Sequence, residues 1–349
     1  MAEVAYVLSR MMMPDDANGL GNVHGGEVLK LMEEAGHIVA TRHCNAGNYN
    51  NSCSPRVAVL ARVEQMDFLK PMFISEVAHV TAEITYVSQQ SIEVKINVYA
   101  ENILKNDQRF TNRGILWYVA VKAVASTEYA VSTVPPLTYK DPQDEEDGRK
   151  RFEFQKRDRQ ASKELYKLYE SGQPLVNDWN GSGIVADSTE KYTVKRSQST
   201  LIHSILPSDC YSSKFSTGGS VMKLMDTAGA LSAIRHSKTP CVTASIDAIN
   251  FHHPMRQSNV ITISGRVTFT SAKSMEVEVI VITEDLSTGK KHFSCSAFFN
   301  FVSVDSSGRV LPVPPLVLKT DSEKKRFESG KQRYSARKQR RLSRETTKN

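Results

Sequence analysis

Two carboxylates hold equivalent places in this chain, each seven residues beyond a Gly-Gly pair: Glu33 after Gly25-Gly26 and Asp226 after Gly218-Gly219. Seven residues are two helical turns, so glycines and acid share one helix face. The residues before each acid are apolar, Leu31-Met32 and Leu224-Met225. A carboxylate buried there without a cation has a raised pKa, which suits a general base or a nucleophile. The glycines supply the complement. N–H groups at a helix start lack intrahelical partners, and the helix dipole favours negative charge there, which is what an oxyanion of acyl transfer needs. Gly25, Gly26, Gly218 and Gly219 are therefore candidate oxyanion donors.

The elements that must position these groups are written twice. Gly25-Gly26-Glu27-Val28-Leu29-Lys30-Leu31-Met32 returns 193 residues later as Gly218-Gly219-Ser220-Val221-Met222-Lys223-Leu224-Met225. Phe68, Pro71-Met72 and Ser91-Ile92-Glu93-Val94 return 183 residues later as Phe251, Pro254-Met255 and Ser274-Met275-Glu276-Val277. One ten-residue insertion in the first copy, around Ala46 to Ser54, accounts for the change of offset. A long period in constant register means two copies of one domain. In each copy an opening strand (Val4 to Met13; Tyr192 to Leu206) and a Pro-Asp loop precede a helix of about five turns. The apolar residues Val28, Leu31, Met32, Ala35, Ile38 and Val39 mark its wide buried stripe. Four strand-like segments follow, near 56–69, 76–87, 91–100 and 109–121, and again near 241–252, 259–270, 274–283 and 291–304. Val277, Val279 and Val281 alternate with Glu276, Glu278 and Ile280, a strand with one face on a core.

The implied fold class is α+β, with a long helix wrapped by a curved antiparallel sheet in each copy. This is the hotdog arrangement, and two tandem units would pair as an internal pseudo-dimer. The boundaries read as 1–140 for the first unit, 141–188 for a charged helix and linker, 189–318 for the second unit and 319–349 for a basic tail. Lys150-Arg151-Phe152-Glu153 returns as Lys325-Arg326-Phe327-Glu328, so a charged helix ends each copy.

The net charge of +7 sits in that tail: residues 323–349 hold 11 Lys/Arg against three Glu, and the remainder is close to neutral. Without aromatic interleaving beyond Phe327 and Tyr334, the basicity reads as a solubilising or targeting extension rather than a nucleic-acid surface. The five cysteines are scattered without metal spacing, which points to reduced thiols in the cytoplasm. No apolar run approaches a bilayer span, and no signal peptide is evident, so stable membrane insertion is not expected. His252-His253 point to opposite faces of a strand, so no metal site is expected.

The chain resembles the hotdog-fold acyl-CoA thioesterases of the double-hotdog type. The resemblance covers essentially all of it and rests on Pro14-Asp15-Asp16-Ala17-Asn18, Gly21-Asn22-Val23-His24-Gly25-Gly26, Met222-Lys223-Leu224-Met225-Asp226, Thr243 to His252 and Ile261 to Ser271. It implies hydrolysis of medium- or long-chain fatty acyl-CoA without a cofactor, Asn18 and Asp226 as the catalytic pair, and a trimer of double units. The copies themselves agree with that pairing. At offset 193, Asn18 falls on Tyr211 and Asp226 on Glu33. If each site forms across the pseudo-twofold axis, Asn18 meets Asp226 in one competent site, and Tyr211 meets Glu33 in a degenerate one.

Asp226 would activate water or attack the thioester directly. Arg62, Arg266 and Lys273, with the hydroxyls of Ser271 and Ser274, are candidates to meet the CoA phosphates. A competing reading is a non-catalytic acyl-CoA sensor. A hydratase ranks below both, because no histidine accompanies the acid on either helix.

Overall fold

The computed structural model describes residues 5–46, 55–124, 129–170, 191–211 and 214–346. The first half runs β1 (Ala5–Met11), α1 (Gly25–Cys44), β2 (Arg56–Val63), β3 (Met66–Phe68), β4 (Val77–Val87), β5 (Ser91–Asn102), β6 (Asp107–Ala123), β7 (Tyr129–Val131) and α2 (Pro142–Glu170). The second runs α3 (Val194–Ser197), β8 (Ser199–Ser204), α4 (Gly218–Ser237), β9 (Cys241–Ile246), β10 (Ile249–Asn250), β11 (Val260–Thr270), β12 (Ser274–Asp285), β13 (Lys290–Ser303) and α5 (Asp321–Thr346). Most of the inserted segment (47–54) and the linker read at Gly172 to Ser188 lie outside the described residues.

Each half is a helix laid on an antiparallel sheet. Leu29, Met32, Ala35 and Val39 of α1 are fully buried, as are Val221, Met225 and Ala228 of α4. Burying each of the larger aliphatic side chains contributes about 1.5–3 kcal/mol. The half-sheets join edge to edge into one sheet of order β1-β4-β5-β6-β3-β9-β13-β12-β11-β8. Two short pairings make the seam: Met66 and Asp67 of β3 oppose Ile246 and Ser245 of β9, and Val63 and Arg62 of β2 oppose Ile249 and Asn250 of β10. The two pairings exchange under the repeat, as a pseudo-twofold axis requires.

The glycine pairs have a structural task that the sequence did not suggest. The helices α1 and α4 cross where Gly26 lies against the Lys223 backbone and Gly219 against the Lys30 backbone. A Cβ on Gly26 would stand 2.7 Å from the Lys223 Cα, and one on Gly219 would stand 2.9 Å from the Lys30 Cα. Only glycine allows this approach. It carries the start of each helix onto the acid-bearing turn of the other.

The basic tail is corrected from an extension to a docked helix. Phe327 and Tyr334 of α5 pack on Phe269, Arg333 and Arg337 pair with Glu276, and Arg337 also pairs with Asp247. The helix therefore covers the Glu276 and Glu278 part of the outer face of β12, and Tyr166 of α2 packs on Ile280 of the same strand; all three strand residues are buried. The one-faced strand read from the alternation is in fact buried on both faces. In the first half α2 does the same work, with Arg151 on Glu93 and Phe152 against Tyr86 and Trp117.

Candidate active site

The crossing helices build two unequal sites. In one, Asp226 of α4 faces the start of α1. Its carboxylate is 1% exposed. Oδ2 accepts the Gly26 N–H at 2.9 Å, and Oδ1 accepts the Thr243 hydroxyl of β9 at 2.7 Å. Burial raises the Asp226 pKa above the ordinary carboxylate range, while a positive charge on His24 and the two hydrogen bonds act to lower it.

Asn18 lies on the wall of the same cavity, which has a volume of about 850 Å³ and is also lined by Gly25, His24, Thr243 and Asp226. The Asn18 Oδ1 accepts the backbone N–H groups of Leu20 (2.9 Å) and Asn22 (3.3 Å), a turn that fixes the side chain. Its oxygen is thereby occupied, and the NH2 is the part left to act as a donor. Asn18 and Asp226, far apart in sequence and from different halves, border one space.

The pseudo-equivalent site is closed. Glu33 accepts the Tyr211 hydroxyl at 2.9 Å and the Gly219 N–H. Burial is the main cause that raises its pKa to about 7. His37 stacks on Tyr211 with ring centroids 3.8 Å apart. Burial pushes the His37 pKa down to about 4, so this ring is neutral near pH 7. The space beside Glu33 is about 50 Å³.

Several expected roles change. The Gly26 N–H is committed to Asp226 and the Gly219 N–H to Glu33, so neither is a vacant oxyanion donor. The Leu60 side chain packs onto Gly218. Gly25 remains: its N–H has no protein acceptor among the described residues, and it borders the large cavity.

Arg62 is 1% exposed and held by Glu64, Asp158 and Asn250, which corrects its assignment to a CoA phosphate. Arg266, 3% exposed, is likewise bound to Glu278. Ser271 and Ser274 hydrogen-bond each other at the β11–β12 turn, with Lys273 exposed between them, and this turn does not border the cavity. The lysine that does border it is Lys70, an exposed residue the sequence reading passed over.

Thr243 was also missed. Its signal was present in the repeat: at offset 183 it faces Leu60, a hydroxyl against an apolar side chain. Among the described residues no group of three or more metal-ligating side chains gathers, and no helix is long and apolar enough to cross a membrane.

Comparison with known proteins adds four findings. The thioesterase superfamily model matches residues 20–105 and again 217–290. The human protein named cytosolic acyl coenzyme A thioester hydrolase is 50% identical over 328 residues, covering 93% of this chain and 81% of its own length. The rat protein of the same name is 50% identical over 325 residues, 93% of this chain and 80% of its own. A solved thioesterase structure from Lactobacillus plantarum covers 86% of this chain and 96% of its own with a TM-score of 0.52 at 8% identity, a likeness in fold alone.

Proposed function

The chain belongs to the thioesterase superfamily and is an acyl-CoA thioester hydrolase; from that premise we propose that one competent site per chain cleaves medium- and long-chain acyl-CoA between the two hotdog units. The observation that carries this reading is the cavity of about 850 Å³ bordered by Asn18, Gly25, Thr243 and Asp226. Asp226 acts as general base on a water molecule, its carboxylate aimed by Thr243 and the Gly26 N–H. The Asn18 NH2 and the Gly25 N–H donate to the thioester carbonyl oxygen as it gains charge. The carbon–sulfur bond then breaks with its electron pair on sulfur, and CoA thiolate leaves without a strong general acid.

The acyl chain lies along the cavity wall made by Leu231, Ile234 and Val310, where large apolar side chains are otherwise left partly exposed to water. Lys70 stands at the wall for a CoA phosphate. The same reading takes the chain to work in the cytoplasm without a cofactor and to assemble as a trimer of double units.

Thiol release from palmitoyl-CoA tests the site. D226N lowers kcat by about 10³-fold or more and N18A by about 10²-fold, while E33Q stays within about twofold of the parent. If D226N and E33Q each remove half of the activity, two sites work and the reading fails. Saturable binding without thiol release would favour the sensor instead.

A further inference from the structure

His24, at the start of α1, stands against the carboxylate proposed as the base. Its Nδ1 lies 3.3 Å from the Asp226 Oδ2, and both atoms share a single donor, the Gly26 N–H, at 3.0 Å and 2.9 Å. Two acceptor atoms held this close repel unless a second proton lies between them. The imidazole is partly exposed on the cavity wall, so its other nitrogen has a route to solvent. The idle half lacks the arrangement: Thr217 stands at the equivalent position and caps α4 through the Ser220 N–H. A helix cap alone needs no histidine.

We propose that His24 is the proton partner of Asp226, a positioning residue whose Nδ1 lone pair takes over the proton that the carboxylate removes from water and so returns Asp226 to its ionised form. This rests on the reading of Asp226 as base. In the step, the water oxygen bonds to the thioester carbon as one water proton moves to Asp226. After the carbon–sulfur bond breaks, that proton passes from Oδ2 to Nδ1 of His24, and the imidazolium loses its Nε2 proton to solvent or to the departing thiolate. The carboxylate is restored, and proton exchange with solvent returns the remaining Nδ1–H tautomer to the Nε2–H form that can accept again. Glu27, three residues after His24, and Lys223, three residues before Asp226, pair with each other across the helix crossing.

The test replaces His24 by residues that keep the cap. H24N and H24S both accept the Gly26 N–H and preserve the helix start. The expected result is a fall in kcat of about 10- to 100-fold at nearly unchanged KM. The acid limb of the kcat/KM profile moves to lower pH, because one group instead of two must then be free of its proton. Circular dichroism at each pH verifies that the variants are folded. Recovery of the parent kcat and pH profile by either variant makes His24 only a cap and overturns the proposal. D226N is assayed in parallel. If it is inactive while H24N behaves as the parent, only the relay is lost; if D226N itself is active, the base reading is lost with it.

Discussion

The two sites of this chain are built on the same helix crossing and each holds a buried acid, yet one encloses a cavity of about 850 Å³ and the other about 50 Å³. Four exchanges explain the difference. Where the open site has Asn18, Asn22, Ala230 and Thr243, the closed site has Tyr211, Phe215, His37 and Leu60. Each exchange fills space, and the phenol of Tyr211 takes over the acid that would otherwise face substrate. The framework is thus indifferent to catalysis. The glycines, the crossing and the N–H on the carboxylate persist in both halves, because folding the pair of units needs them whether or not a site is open.

The comparison breaks most readily if residues are exchanged between halves. T243L installs the closed site's leucine in the open site. It removes the Asp226 Oδ1 donor and narrows the cavity, so kcat/KM should fall about 10²-fold in a thiol-release assay. The reciprocal L60T, made where Tyr211 and His37 still fill the space, should leave turnover within about twofold. Comparable losses from both would show that the halves share the work.

A smaller effect, on stability, sharpens the contrast at Glu33. Its carboxyl titrates at about 7 in the fold against an ordinary value of 4.5. The folded state therefore holds the proton more tightly: the contribution is fully present below 4.5 and is lost as pH rises through 7. The whole difference amounts to about 3 kcal/mol. E33Q cannot ionise, so urea unfolding at pH 8 should find it more stable than the parent, with the gap closing towards pH 4.5. A gap that does not change with pH would mean that Glu33 is not a buried acid in the closed half.

Much of this was legible in the residues. The repeat located both helices and nearly every strand, because hydrophobic period and register are local properties. It also paired Asn18 with Asp226 and Tyr211 with Glu33, as two copies related by a pseudo-twofold axis must. What could not be read were the partners of long side chains. Arg62 looks like a free cation until α2 brings Asp158 to it across 96 residues of chain, and Arg266 until β12 sets Glu278 beside it. The tail looked loose because its charges are numerous. Four of its residues, Phe327, Tyr334, Arg333 and Arg337, seat it on a strand whose acids gave no sign of being buried. Thr243 was readable but unread: the exchange with Leu60 sat in the alignment of the two copies.

One working site per chain is the claim on which the rest depends. Calorimetric titration of the full chain with a ketone analogue of palmitoyl-CoA, in which a methylene separates the carbonyl from sulfur, counts the sites without turnover. The account predicts one equivalent bound per chain, with binding weakened by T243L and untouched by L60T. Two equivalents per chain, or binding lost with L60T alone, would contradict it.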